Sequence, residues 1–167
     1  MRRILTALFA VGAGLLLVAA AGAAQMVKPE AVVQVRVEPA RVELAAGGAA
    51  ELALVATIQE GFHINSNKPA QDYLIPTRVG LAAAEGFELE KVEFPAGALK
   101  SFGFAPDEKL SVYEGTVKVR GRLRAKSAAA GAHTLRLVFH YQACNDQICL
   151  RPAQREVKLT VQVRPAP

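Results

Sequence analysis

The sequence predicts an all-β chain folded as an antiparallel sandwich, and three observations carry that expectation. Apolar residues alternate with polar ones in short runs, and turn-forming residues separate the runs. The runs recur at intervals of roughly ten to twenty residues, and almost nothing repeats at helical spacing.

The 167-residue chain opens MRRILTALFAVGAGLLLVAAAGAAQ, with Arg2 and Arg3 ahead of an apolar run and small residues after it. That order predicts a cleaved signal peptide over residues 1–24 and a folded domain over 25–167. An uncleaved anchor is the rival reading, because the run approaches spanning length. The Ala/Gly-rich end and the lack of charge just beyond it favour cleavage and export. No cysteine follows the apolar run, which argues against a lipoprotein anchor. The remaining 143 residues suffice for one domain with a substantial core. No later stretch reaches ~18 consecutive apolar residues, so no membrane span is expected in the mature chain.

Residues 27–30 read as a flexible lead-in. Val33, Val35 and Val37 then alternate with Gln34 and Arg36, the period of a half-buried strand. Gly47-Gly48 marks a turn before a more continuous apolar run over 52–58. Further strands are expected over 73–81, 87–94, 116–123, 134–141 and 156–163. In 116–123, Val117, Val119 and Leu123 oppose Lys118, Arg120 and Arg122; in 134–141, Leu135, Leu137, Phe139 and Tyr141 share one face. The Ala-rich pieces 81–85 and 125–132 are short and bounded or broken by Gly86 and Gly131, so they read as connections. Residues 95–110, PAGALKSFGFAPDEKL, show no strand pattern and read as a long loop carrying Phe102 and Phe104. Loops of this length are often functional, although one buried Phe anchoring the loop explains them equally well. Residues 164–167 read as a frayed end. This many short strands in one domain indicate an immunoglobulin-like antiparallel β-sandwich, in the broad sense.

The formal charge of +5 includes Arg2 and Arg3, which leaves the mature chain nearer +3. The alternating Lys118, Arg120, Arg122 and Arg124 have no interleaved aromatic side chains, so a solvated strand face is preferred to a nucleic-acid site. No Ser–His–Asp arrangement has a recognisable local context.

Cys144 and Cys149 are the chain's two cysteines, within FHYQACNDQICLRP. Export places them where nearby thiols are normally paired. A connection between strands brings the two sulfurs close, so a disulfide is feasible. As a staple it closes a loop of only about six residues, contributing about 2 kcal/mol in the chain-entropy account. A redox role needs accessible sulfurs and a reversible bond, and a loop at a sheet end supplies the access. Arg151 favours a thiolate at Cys149, Asp146 opposes it, and His140 acts in either direction. A third reading is zinc or copper bound by the cysteines with His63, His133 or His140, but no second cysteine pair or H-x3-H element supports it. From the residues alone, staple, redox pair and metal site stay open.

Three segments resemble the N-terminal periplasmic domain of the thiol:disulfide interchange protein DsbD. They are FHYQACNDQICLRPAQREVKLTV, GFHINSNKPAQDYLIPTRVGL, and the weaker stretch from EFPAG to SVYEGTVKV. Their order and spacing cover roughly residues 30–163, nearly the whole mature chain. The resemblance implies an immunoglobulin-like periplasmic domain whose cysteine pair relays reducing equivalents and needs no bound cofactor or metal. The donor is a thioredoxin-like or membrane-embedded partner. The clients are disulfide-containing periplasmic proteins such as isomerases or cytochrome c maturation factors. Cys144 and Cys149 carry over as the catalytic pair, with Cys149 facing partners. Phe102, then Phe104, are the expected aromatic cap. His140, Tyr141, Asp146 and His63 are candidate tuning residues, each with an ordinary structural role as the alternative. Two departures stand out: the spacer is four residues, shorter than in well-known members, and His63 and Asn65 replace aromatic residues that flank the site in some of them. The competing function is a secreted binding module with a permanent structural disulfide.

Overall fold

The computed structural model describes residues 27–165, so the expected leader over 1–24 lies outside the described residues. After a helical turn, α1 (Pro29–Val32), the chain forms twelve strands. In order these are β1 (Val33–Glu38), β2 (Arg41–Ala45), β3 (Ala49–Ile58), β4 (His63–Asn65), β5 (Arg78–Leu81) and β6 (Phe87–Glu93). There follow β7 (Ala98–Phe102), β8 (Ala105–Tyr113), β9 (Thr116–Ala125), β10 (Gly131–Tyr141), β11 (Ala143–Cys144) and β12 (Ala153–Arg164).

Two four-stranded sheets, ordered β1-β3-β9-β6 and β2-β12-β10-β5, enclose the main core. On β9, Val117, Val119 and Leu123 point inward and Lys118, Arg120 and Arg122 outward, the alternation that the sequence displays. Gly121 and Ala125 occupy the other inward positions, and a Cβ at Gly121 would sit 3.0 Å from Leu89 Cδ1. Leu135, Leu137, Phe139 and Tyr141 of β10 and Leu159, Val161 and Val163 of β12 supply much of the opposing layer. The central strand β3 is buried from Leu52 to Ala56 on both faces, which is why its sequence is continuous rather than alternating. Pairing is antiparallel throughout except between β12 and β2, which run parallel.

The third sheet, β11-β4-β8-β7, corrects the expectation for residues 95–110. They are not a long loop but most of a hairpin turning at Gly103 and Phe104. The first four residues of β7 are exposed, so no apolar alternation betrays the strand. Phe102, Leu110 and Val112 form a second small core with Leu74 packed against it.

Three further expectations change. Residues 73–81 hold a strand only over Arg78–Leu81; the preceding residues form a turn that places Leu74 on the small core. Residues 27–30 are not a flexible lead-in throughout, because Pro29 is buried and its carbonyl accepts the Tyr141 hydroxyl at 3.0 Å. Strand β12 extends through Arg164, the first residue of the segment expected to fray. Three basic residues of β9 are matched by acids of the same sheet: Lys118 with Glu38 of β1 (3.5 Å), Arg122 with Glu51 of β3 (3.9 Å) and Arg124 with Glu90 of β6 (2.7 Å).

Tyr141→Phe strands the buried Pro29 carbonyl and is expected to lower unfolding free energy by about 1–2 kcal/mol in urea titrations. Arg122→Ala, which removes only an exposed pair, is expected to change it by less than about 0.5 kcal/mol.

Candidate functional site

The β10–β12 ladder runs in register from Gly131 opposite Val163 to Tyr141 opposite Ala153. Just beyond its end, Ala143 and Cys144 pair instead with β4, Ala143 opposite Ile64 and Cys144 opposite His63. The chain then turns back on itself. Leu150 N–H donates to the Ala143 carbonyl at 2.8 Å, and Asn145 N–H donates to the Ile148 carbonyl at 2.9 Å. Between those bonds Cys144 and Cys149 face each other as a β-bridge, Cα atoms 4.0 Å apart, and a disulfide joins them.

Asn145 shapes the four-residue turn: its Oδ1 accepts the N–H groups of Gln147 (2.9 Å) and Ile148 (2.8 Å). Gln142 Nε2 braces the other side on the Leu150 carbonyl at 3.2 Å. The two sulfur-bearing residues have different surroundings. Cys144 is 1% exposed, whereas Cys149 is an exposed residue in a turn.

Phe102 stacks on His63 with ring centroids 4.0 Å apart and planes at 22°, and on its outer side Phe104 stacks at 5.6 Å and 7°. His63 and Phe102 are buried, while Phe104 and Ile148 stay about half exposed. The cap candidates therefore form a graded stack over the residue directly opposite Cys144. Gly97 allows the hairpin to sit close, since a Cβ there would lie 2.3 Å from Ser111 Oγ and 2.9 Å from Ser66 Cβ.

A cleft of about 480 Å³ opens at this point, and Glu114, Lys100 and Asp146 stand beside His63 and Phe102 on its wall. Lys100 Nζ and Glu114 form an ion pair. Burial pushes the His63 pKa below its ordinary value, against the pull of Glu114 and Asp146 and with a small contribution from Lys100. His63 Nε2 is buried without a hydrogen-bond partner. The other two tuning candidates lie elsewhere. His140 lines a separate groove with Tyr73, Arg78 and Gln154. Tyr141 is a core residue, its hydroxyl pushed up to about 12 chiefly by burial. His133 lies edge-on to Phe87, and no group of three or more potential metal ligands occurs among the described residues.

The family model for the N-terminal part of thiol:disulfide interchange protein DsbD matches residues 24–161. The chain belongs to the DsbD N-terminal domain family. It is thus a thiol:disulfide interchange domain, and its fold is that of the family. The crystal structure of the Neisseria meningitidis DsbD N-terminal domain in the reduced form is similar, with TM-score 0.52 and 19% identity over 82% of this chain and 91% of that one. The N-terminal periplasmic domain of ScsB from Proteus mirabilis is also similar, with TM-score 0.53 and 12% identity over 80% of this chain. This chain spans 49% of that ScsB structure. Comparison with curated proteins finds no match.

Reading the sequence alone missed Asn145, Lys100 and Glu114. Asn at the start of a short loop was the available signal for the first. Lys100 reaches the cleft from β7 and Glu114 from just past the end of β8, a meeting that their local sequence does not display.

The depressed His63 pKa has a consequence for stability. The unfolded imidazole takes up a proton below about pH 6.5, while the folded one resists until a lower pH. Stability from this group is therefore present above about pH 6.5 and is lost as pH falls from there toward the folded value. His63→Phe, which keeps a ring against Phe102, is expected to show a shallower loss across that window in urea titrations at stepped pH.

Proposed function

We propose that this domain is a periplasmic relay carrying two electrons from a thioredoxin-like or membrane-embedded donor to disulfides in exported client proteins. The observation that carries this reading is the unequal exposure of the two cysteines, Cys149 open in a turn and Cys144 sealed at the sheet edge. A pair made only to staple has no need of one exposed cysteine. An exchange site does, because the attacking sulfur must approach the client disulfide in line.

In the proposed cycle the donor reduces the Cys144–Cys149 bond. Cys149 thiolate then attacks one client sulfur, forming a mixed disulfide and releasing the second client sulfur as a thiolate. Cys144 thiolate attacks Cys149 Sγ, re-forming the internal disulfide and expelling the first client sulfur. Two electrons pass to the client, and both of its sulfurs end as thiols. The cysteines are themselves the redox group, so the cycle needs no bound cofactor or metal. Phe102, with Phe104 outside it, serves as the cap that excludes small oxidants and reductants until a partner displaces it. Export by cleavage of residues 1–24 places the domain in the periplasm. Disulfide isomerases and cytochrome c maturation proteins are the client classes that this reading favours.

The test is trapping. Cys144→Ser is expected to accumulate reductant-sensitive covalent adducts with periplasmic proteins through Cys149, while Cys149→Ser gives few because the remaining sulfur is buried. No adduct from either variant supports a binding module with a permanent disulfide. Phe102→Ala is expected to speed reduction of the internal bond by dithiothreitol by about 3- to 10-fold, read by quenched alkylation, because it opens access to the sulfurs.

A further inference from the structure

Resolution of the mixed disulfide requires Cys144 as a thiolate, and Cys144 sits where a thiolate is disfavoured. Burial in apolar surroundings raises a thiol pKa, and Cys144 is 1% exposed beside Ala143 and Ile64, both fully buried. The second half of the exchange therefore needs a group that takes this proton. Solvent is a poor candidate at a sealed sulfur.

His63 is the titratable side chain placed for the task. It lies directly opposite Cys144 in an antiparallel pair, where Cβ atoms are about 4.5–5.5 Å apart and side chains share a face. It is 2% exposed, and its Nε2 has no hydrogen-bond partner. An unpartnered buried ring nitrogen is costly to keep. Continuing the β4–β8 register by one step from Ile64 opposite Tyr113 sets Glu114 opposite His63 on the other side. Glu114, His63, Cys144 and Cys149 thus form one row across the edge of the third sheet. We propose that His63 is the proton acceptor for Cys144 in the resolving step.

The step balances within the cycle already described, on which this inference rests. The Cys144 S–H bond breaks and its proton moves to the His63 imidazole. The Cys144 sulfur forms its bond to Cys149 Sγ as the bond from Cys149 to the client sulfur breaks. The imidazolium then returns its proton to the departing client thiolate or to water. Three charged groups face His63: Glu114 and Lys100 from the hairpin side and Asp146 from the cysteine turn. The two carboxylates stabilise the transient imidazolium and Lys100 opposes it. The buried ring is neutral at rest, which leaves it free to accept the proton.

Reduced protein reacted with the chromogenic aromatic disulfide DTNB separates the two half-reactions, since Cys149 releases the first thionitrobenzoate and Cys144 the second. For the native protein the second phase is expected to be level between about pH 7 and 8.5, because the imidazole is already neutral. His63→Gln is expected to keep the first phase within about twofold and to slow the second at least about tenfold at pH 7. Its second phase should then rise about tenfold per pH unit, as an unassisted buried thiol does. His63→Phe, which retains the stacked ring, should behave like His63→Gln, and added imidazole should partly restore the rate in His63→Gly. A second phase in His63→Phe that matches the native rate and pH profile would overturn the proposal, because packing alone then suffices. Should the variants not fold, a native second phase that climbs tenfold per unit to about pH 8.5 overturns it equally. Failure of the relay itself reads differently: the native protein then completes both phases with DTNB but passes no electrons to a protein disulfide.

Discussion

The antiparallel ladder between Gly131–Tyr141 and Ala153–Arg164 is the constraint on which the site depends. Eleven opposed pairs lock the two strands in register, and only the short connection after Tyr141 and before Ala153 is left to turn. Within it, the two backbone bonds around the cysteines and the Asn145 side chain set the sulfurs face to face. The same ladder is anchored from below by buried Phe139 and Tyr141, the latter tied to Pro29 at the start of the domain. The cysteine pair therefore projects from a firmly packed ladder, which fixes its geometry.

Energetics and exposure point the same way. Closing a loop of about six residues contributes about 2 kcal/mol, small beside the burial of two opposed sheets. A bridge between the sheets would contribute more, and the chain does not make one: its two cysteines join the two arms of a single short turn. The third sheet gives Ile64, Tyr113 and Ala143 to the main core and holds Phe102, Leu110 and Val112 so that an aromatic stack covers His63.

Much of the fold was legible because burial leaves a periodic trace. The outward Lys118, Arg120 and Arg122 against inward Val117, Val119 and Leu123 disclosed β9, and the Leu135-to-Tyr141 face disclosed β10. Most of what escaped had no such trace. Strand β7 is exposed along four of its five residues, and β4 is only three residues long with all three buried. Strand β2, RVELA, does alternate, but its five residues pair in parallel with a partner more than a hundred positions away. At the site, the cysteines were visible as a motif, and Phe102 and Phe104 as aromatics in an otherwise polar segment. The stack on His63 was not, because it arises from the meeting of β7, β4 and β11 rather than from neighbours in sequence. His140 and Tyr141 flank the motif closely yet face a groove and the core, so proximity along the chain was a poor guide there.

The central claim is that the Cys144–Cys149 bond opens and closes in use. The most direct measurement is the redox state of the native protein in intact exporting cells, frozen by acid and read by thiol alkylation, with and without the membrane thiol reductant. The account predicts a substantial reduced fraction that collapses to the disulfide when the reductant is removed. A pair that stays fully oxidised in both conditions contradicts it.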